Sequence, residues 1–398
     1  MGQRSLLRRR GPFRPFLFGL SLSAIGDGIA TAALTLYVQE TAGTGVAVGA
    51  LLLTQTVPRL MGPVIGSIAD RTHAIRLMIG CDIGQAVVYA AIALLLPSLG
   101  PLLAFVFVAS LLSGGTSAGR GATLPTIVEQ DDLLAANVLL GAGFNAQVAI
   151  GPLIGGLLFA AGGPELALAL NAATFLASGL LLALVRAPRI RRKGEAAGVF
   201  AEVREASVFV WRNPVLRTLL LSMTLSIAFL SVDNVALVFL VRDTLDGGPA
   251  AYGLALSGFG VGMLLGSGAM IWRTPRAAGA LYVFALVLTG SGTLLTGLAP
   301  GLLAAVLFQA IAGIGNSCEN AGTDTVIQEH APPEMLGRVF GLVGSMAYAG
   351  AGIAAAIGGP LLDLTSPRAV FVIGGVGGLL VVLFAARPPL RNESVRPA

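Results

Sequence analysis

The chain has 398 residues, of which 55% are hydrophobic and only 11% are charged, and its net charge is +5. Soluble domains carry about 25% charged residues, so this composition excludes a water-soluble enzyme. It also excludes a disordered chain, because such chains are poor in apolar residues. The remaining class is a polytopic membrane protein. Apolar runs such as 102–112 and 370–386 do not alternate with polar residues, which favours helices over a membrane β-barrel.

Apolar runs between Gly, Pro and charged residues predict twelve membrane-spanning helices, each of which needs about 20 apolar residues. The predicted spans are 13–39, 46–69, 76–97, 101–127, 134–160, 164–186, 215–241, 250–272, 277–299, 301–327, 336–362 and 367–386. They form an N-terminal six-helix bundle over 1–186, a cytoplasmic basic connector over 187–213 and a C-terminal six-helix bundle over 214–398. In the connector, apolar residues at helical spacing predict an amphipathic helix over 202–215 at the membrane surface.

The basic residues predict the orientation of the chain in the membrane. If the N-terminus is cytoplasmic, 21 of the 25 Lys and Arg residues lie on the cytoplasmic side. This distribution follows the positive-inside rule and places both termini in the cytoplasm. We expect the bacterial inner membrane as the location and anionic lipid headgroups, rather than nucleic acid, as the partner of the basic residues.

The two predicted bundles resemble each other in sequence. The segment 38–41 after the first span matches 241–244 after the seventh, and the glycine pair 155–156 in span 5 recurs as 358–359 in span 11. Both matches have an offset of 203 residues. A shared offset and order predict a six-plus-six repeat, which is how many secondary transporters are built.

Charged residues inside the predicted spans are the strongest functional signal, because a charge in the bilayer is costly unless it faces a cavity or a partner. Seven charged residues lie inside the predicted spans, namely Asp27, Arg59, Asp82, Arg120, Asp233, Glu319 and Asp324. Spans 1, 4, 7 and 10 contain five of these seven residues. Polar residues on spans 4, 7 and 10 follow helical spacing and predict a water-accessible path. They are Ser113, Ser117 and Thr123 on span 4, Ser222 and Ser226 on span 7, and Gln309, Asn316, Asn320 and Thr323 on span 10.

Each of these charges has both a functional and a structural interpretation. Burial favours the neutral form of a carboxyl group, so Asp27, Asp233 and Glu319 are the candidate proton-coupling residues. Arg120 would bind an anionic substrate or neutralise Asp27 or Glu319. Arg59 follows a proline and has a snorkelling, structural role as its alternative. The candidate substrate-cavity residues are Arg120, Ser113, Ser117, Asn316, Asn320, Ser226 and Arg59.

Two further acids and the other reactive residue types carry weaker signals. Asp82 and Asp324 lie near the predicted cytoplasmic ends of their spans, which favours a solvated or structural role. The two histidines lie in separate predicted loops, so we expect no metal site. The sequence has no phosphate-binding loop of the P-loop type, which argues against a pump with its own ATPase. Cys81 and Cys318 lie inside apolar spans and indicate no disulfide framework.

Two segments carry a family resemblance. Residues 66–71 (Gly-Ser-Ile-Ala-Asp-Arg), between spans 2 and 3, resemble the signature loop of the major facilitator superfamily. Residues 151–156 (Gly-Pro-Leu-Ile-Gly-Gly), in span 5, resemble its antiporter motif, which is typical of drug:proton exporters. The segments 131–133, 135–137 and 337–340 also resemble loops of the subgroup that contains enterobactin-type siderophore exporters and macrolide efflux proteins.

The resemblance implies an all-α membrane fold of two six-helix halves, built from inverted three-helix repeats, which alternates between inward-open and outward-open states. It implies that spans 1, 4, 7 and 10 line a central cavity. Asp70 would hold the halves together on the cytoplasmic side, with Arg71 or Arg76 as its partner, since Ala74 and Ile75 stand where the family has basic residues. The residues to which the resemblance gives a conformational role are Gly66, Asp70, Arg71, Arg76, Gly151, Pro152, Gly155 and Gly156.

Together these observations favour a secondary active exporter of lipophilic or amphiphilic small molecules, a multidrug efflux protein, driven by the proton gradient. The alternative is a dedicated exporter of one natural product, such as a siderophore or an antibiotic. A nutrient importer and a non-transporting membrane sensor are the other candidates. We expect no enzymatic activity and no cofactor. The expected partners are a small-molecule substrate and the lipid bilayer, and the expected state is a monomer.

Overall fold

The computed structural model describes residues 11–60, 72–186, 199–272 and 277–386, and within these ranges all long regular elements are helices. This confirms the predicted all-α class. The helices are α1 (Phe13–Ala42), α2 (Gly45–Leu60), α3 (Ala74–Leu95), α4 (Leu99–Ile127), α5 (Leu133–Ala183), α6 (Val199–Arg212), α7 (Pro214–Leu230), α8 (Asp233–Phe239), α9 (Pro249–Trp272), α10 (Ala278–Gly297), α11 (Leu302–His330), α12 (Leu336–Leu364) and α13 (Pro367–Ala385). A π-helical turn, Leu240–Thr244, follows α8.

Ten helical segments in the described part of the chain are long and apolar enough to cross a membrane. One of them, α5, contains two of the predicted spans. Its helix is interrupted at Gly162 and Gly163, and Gly163 has a φ of 71°, a left-handed conformation that favours glycine. The remaining predicted span is α2, which is described as far as Leu60; residues 61–71 lie outside the described residues. The twelve predicted spans therefore match twelve helical passages.

The described residues form two compact units, and each contains ten residues from the other half of the sequence. Unit 1 comprises Met1–Gly43, Thr54–Gly194 and Gly248–Ser257. Unit 2 comprises Thr44–Leu53, Glu195–Gly247 and Gly258–Ala398. The start of α2 thus packs with the C-terminal helices, and the start of α9 packs with the N-terminal helices.

In unit 1, glycines allow α1 and α5 to pack with their backbones in contact. A Cβ atom placed on Gly151 would lie 2.7 Å from the Cα atom of Gly28, and one on Gly155 would lie 2.6 Å from the Ile29 carbonyl oxygen. Side chains larger than hydrogen do not fit at either position, so small residues set the helix separation. An apolar cluster that includes Phe16 and Met78 fills one end of this unit.

In unit 2, α6 lies against an apolar cluster that α7 and α10 to α13 share. Ala206 and Val210 are its buried residues, whereas Val208 and Trp211 are 43% and 57% exposed. The helix overlaps the predicted amphipathic segment, and its exposed apolar side chains lie on the face opposite the packed one. An ion pair of 2.6 Å between Arg338 and Glu205 joins α12 to α6.

The seventh predicted span is interrupted in the structure. The prediction has one continuous segment over 215–241, but α7 ends at Leu230 and α8 begins at Asp233, after a turn at Ser231 and Val232. No glycine or proline marks this turn, which is why the sequence pattern did not reveal it.

Candidate functional site

A polar cavity of about 130 Å³ lies in unit 1 between α1, α3, α4 and α5. Since one water molecule occupies about 30 Å³ in the liquid, the cavity has room for several. Four of the predicted site residues line it, namely Asp27, Ser113, Ser117 and Arg120. The structure therefore brings one candidate proton-coupling residue together with three candidate cavity residues.

The α4 residues reach the cavity because their spacing places them on one face of the helix. Ser113, Ser117 and Arg120 are separated by four and three residues, as are the members of a single helical face. Thr123 was expected to continue this stripe, but it is buried and contacts the Met78 sulfur at 3.9 Å instead. The polar face of α4 therefore ends at Arg120.

Asp27 is half-buried at the cavity wall, on a turn of α1 that glycines hold against α5. A Cβ atom on the adjacent Gly28 would lie 2.9 Å from the Cα atom of Gly151, which fixes the position of this turn. In the described part of the chain no side chain forms a hydrogen bond with the Asp27 carboxyl group. The positive charge of Arg59 and the negative charge of Asp82 act on it from a greater distance.

The two arginines that were predicted as cavity residues have different positions. Arg120 is exposed to the cavity, and none of the described residues forms an ion pair with it. It lines the same cavity as Asp27 but forms no ion pair with it. Arg59 lies in the last turn of α2 and is not part of the cavity wall; its connection with the cavity is through its charge.

Five polar residues that were not among the predicted site residues complete the lining of the cavity. They are Ser21 and Ser23 of α1, Gln85 of α3, Thr116 of α4 and Gln147 of α5. The available signal was their polarity inside apolar spans, but neither glutamine is charged or lies in a stripe. Thr116 lies beside the predicted stripe, between Ser113 and Ser117.

Asp82 is fully buried in unit 1, and this excludes the solvated role that its predicted place near a helix end suggested. The Ser178 hydroxyl donates a hydrogen bond to its Oδ2 atom at 2.7 Å, and the Thr116 hydroxyl donates one to Oδ1 at 3.3 Å. Asp324, the other acid expected near a helix end, is exposed on α11.

A second buried carboxyl group, Glu319 of α11, lies in unit 2 with an exposed fraction of 5%. Ser226 of α7 faces it without meeting hydrogen-bond geometry within the described residues. Tyr282 of α10 is close enough to be affected by the charge of Glu319, and its hydroxyl group lies 2.9 Å from that of Ser222. The polar pattern of α7 and α11 predicts Glu319 and Ser226, but it does not reveal Tyr282, because one tyrosine in an apolar span has no distinctive pattern.

The remaining polar residues of α11 divide between two environments. The Gln309 Nε2 and Thr323 Oγ1 atoms are buried and have no hydrogen-bond partner among the described residues. Asn316 is half-buried and Asn320 is exposed, and the Asn320 amide donates to the Asn316 side chain at 3.2 Å. Buried polar groups without a protein partner are places where bound water is expected.

Asp233, the third candidate proton-coupling residue, occupies the first turn of α8, directly after the interruption of the seventh span. A negative charge in the first turn of a helix interacts favourably with the helix dipole. Its position therefore has a structural explanation, and its predicted role in proton coupling stays a prediction.

The glycines of span 5 contact two different helices. Gly151 and Gly155 pack on α1, as described above. A Cβ atom on Gly156 would lie 2.5 Å from the Pro249 carbonyl oxygen and 3.1 Å from the Gly253 Cα atom, at the start of α9.

Next to these glycines, the buried Pro152 has no N–H group to donate. The following N–H group, that of Leu153, donates to the Ser257 hydroxyl at 3.0 Å. The backbone of α5 is therefore hydrogen-bonded to a side chain of α9 at this point. Of the other motif residues, Arg76 is exposed in the first turn of α3, whereas Gly66, Asp70 and Arg71 lie outside the described residues.

The start of α2 and the end of α12 form the corresponding contact in unit 2. The Gly45 and Val46 N–H groups donate to the two carboxyl oxygens of Asp363 at 2.6 and 3.0 Å. A Cβ atom on Gly45 would lie 2.7 Å from the Gly359 carbonyl oxygen, and one on Gly49 would lie 2.6 Å from that of Ala355. Gly359 is the repeat partner of Gly156, so the two repeats make the same kind of contact. Asp363 itself has no counterpart in the motif and was not predicted.

Comparison with known proteins places this geometry in a family. The profile of the Major Facilitator Superfamily matches residues 16–272 and 227–398. A relative named multidrug efflux pump Tap, from Mycolicibacterium fortuitum, is 27% identical over 97% of each chain. A relative named macrolide efflux protein A, from Streptococcus pyogenes, is 22% identical over 94% of each chain.

Solved structures share the fold. The POT family transporter PepTSo has a TM-score of 0.76 with 12% identity, over 97% of this chain and 99% of that one. A bacterial homologue of the iron transporter ferroportin, in an inward-facing state, has a TM-score of 0.74 with 18% identity over 97% and 99% of the two chains. At these identities the likeness concerns the fold alone.

Proposed function

The chain belongs to the major facilitator superfamily and is a multi-pass membrane transporter, and on that premise we propose that it exports lipophilic or amphiphilic small molecules, drugs among them, in exchange for protons. The full-length relatives that carry efflux names support the direction and the kind of substrate. We further propose that it works as a monomer in the bacterial inner membrane, with both termini in the cytoplasm, as the distribution of basic residues suggests.

The observation that carries the proposal is the position of Asp27 in the polar cavity of unit 1. The group is half-buried, has no hydrogen-bond partner in the described residues and lies beside a space with room for several water molecules. An ionised carboxyl group that leaves water without a partner costs several kcal/mol. Asp27 therefore favours either a bound proton or a bound substrate that satisfies the carboxylate.

A proton and a substrate compete for the Asp27 carboxyl group, and this competition leads to the exchange of one for the other across the membrane. When the cavity is open to the side with the higher proton concentration, Asp27 binds a proton and the substrate leaves. When the cavity is open to the cytoplasm, the proton leaves and the carboxylate accepts a cationic or hydrogen-bonding substrate. A carboxyl group that holds one or the other, but not both, couples the two flows without ATP. Glu319 and Asp233 are the other candidates for this role.

The second candidate function, a dedicated exporter of one natural product, is favoured by Arg120. This guanidinium group faces the cavity and forms no ion pair among the described residues. A guanidinium group binds carboxylate and phosphate groups with two parallel hydrogen bonds. A free Arg120 therefore suits an anionic cargo better than a lipophilic cation.

The test uses purified protein in proteoliposomes with an imposed pH gradient and ethidium as the transported dye. We expect uphill dye movement in the wild type and its loss in Asp27→Asn, whereas downhill dye exchange continues. Glu165→Gln is the matched control, because Glu165 is an exposed acid near the break in α5, away from the cavity. Full uphill movement in Asp27→Asn would contradict the role of Asp27. Movement of anionic but not cationic dyes, lost in Arg120→Gln, would favour the second function.

A further inference from the structure

Asp82 is a buried acid that the proposed exchange mechanism does not use. Its side chain is fully buried between α3, α4 and α5, and in the described part of the chain it forms no salt bridge. Among the described residues, its hydrogen bonds are those from the Thr116 and Ser178 hydroxyl groups. Both donors are neutral, and no described cation forms an ion pair with Asp82.

The surroundings of Asp82 contain few other titratable groups. Cys81 lies next to it on α3, and Asp27 of α1 is near enough for the two acids to affect each other. From α4 and α5 the groups that face it are the Thr116 and Ser178 hydroxyls. An isolated carboxylate in such a site costs several kcal/mol, and the usual outcome is that the group holds a proton.

Thr116 connects this buried acid with the water-accessible region. The same threonine lines the cavity that contains Asp27 and donates its hydrogen bond to Asp82. A hydroxyl group is both a donor and an acceptor. It can accept a proton from a hydronium ion in the cavity, which becomes neutral water, while it passes its own proton to Oδ1 of Asp82. The reverse steps return the proton to a cavity water molecule.

We propose that Asp82 is a second proton-binding residue of unit 1, which exchanges its proton with cavity water through the Thr116 hydroxyl. When Asp82 is protonated, its O–H group donates to the oxygen of Thr116 or Ser178, whose own hydroxyl hydrogen rotates away. When it is ionised, both hydroxyls donate to it. The physiological use of this site rests on the proposed proton-coupled export, but its existence can be tested without any transported molecule.

The first experiment is infrared difference spectroscopy of the purified full-length protein, which detects the carbonyl stretch of protonated carboxyl groups as the pH changes. We expect a buried carboxylic acid band in the wild type that is lost in Asp82→Asn and kept in Asp27→Asn. Glu165→Gln serves as the matched control and leaves the band unchanged. Spectra of wild type and Asp82→Asn that coincide over the whole pH range would overturn the proposal.

A second pair of variants tests whether the proton reaches Asp82 through Thr116. Because these variants keep Asp82, the test remains valid even if Asp82→Asn does not fold. Thr116→Val removes the hydroxyl but keeps the shape, and Thr116→Ser restores the hydroxyl. We expect hydrogen–deuterium exchange of the Asp82 band to be slowed at least about tenfold in Thr116→Val and to return to the wild-type rate in Thr116→Ser, since a tenfold change in rate corresponds to about 1.4 kcal/mol in the barrier. Equal rates in all three proteins would refute the route through Thr116.

The transport experiment separates this inference from the proposed function. With the membrane potential held at zero, each coupled proton changes the equilibrium dye ratio about tenfold per pH unit. Two coupled protons predict about a hundredfold change in the wild type, and Asp82→Asn reduces it to about tenfold. If the wild type moves no dye, the export proposal fails while the infrared result still decides on Asp82. An unchanged ratio in Asp82→Asn would show that its proton is not coupled.

Discussion

The carboxyl group of Asp363 caps the first turn of α2, and we predict that its removal weakens the packing of α2 on α12. Its two oxygens accept hydrogen bonds from the Gly45 and Val46 N–H groups. Loss of a helix cap costs about 1 kcal/mol, and loss of the favourable dipole interaction adds about 0.5 kcal/mol at an exposed site. Because Asp363 is exposed, we expect Asp363→Ala to cost about 1.5 kcal/mol, which changes the equilibrium constant for this contact roughly tenfold.

Distance measurements between spin labels provide the assay. The Val46 and Leu364 side chains are exposed beside the contact, and labelling Val46 keeps its N–H group; Cys81 and Cys318 are replaced by alanine so that only the introduced positions are labelled. We expect Asp363→Ala to increase the population at longer label distances about tenfold, and Asp363→Asn, which keeps an acceptor oxygen without the charge, to have an intermediate effect. An unchanged distance distribution in Asp363→Ala would refute the capping argument.

Two further predictions concern packing and buried polar groups. Gly151→Ala places a methyl group 2.7 Å from the α1 backbone and is expected to lower the free energy of unfolding by about 1–3 kcal/mol, whereas Gly141→Ala, which has open space, has no such effect in thermal unfolding. Ser222→Ala leaves the buried Tyr282 hydroxyl without its hydrogen-bond partner and is expected to cost about 1–3 kcal/mol; Ser222→Ala combined with Tyr282→Phe should recover most of it, and a double variant no more stable than the single one would contradict this account.

The fold was predictable from sequence because its signals are local. Apolar length, flanking glycine and proline, and the break at Gly162 and Gly163 each lie within one stretch of chain. The turn at Ser231 and Val232 has no such marker and was missed. Local composition therefore gives the number and limits of the helices, but not every interruption within them.

The candidate site was only partly predictable from sequence. The positions of some of its residues depend on contacts between segments that are distant in sequence. Periodicity placed Ser113, Ser117 and Arg120 on one face of α4, and they do line the cavity. The burial of Asp82 depends on Ser178, which is 96 residues away in sequence, so no local pattern could reveal it. Depth in the membrane and helix rotation are tertiary properties.

The reciprocal placement of the two ten-residue segments has a consequence for the covalent continuity of the chain. Residues 44–53 precede the connector but belong to unit 2, and residues 248–257 follow the connector but belong to unit 1. A chain cut within the connector would therefore give two fragments that each complete the other's helix packing.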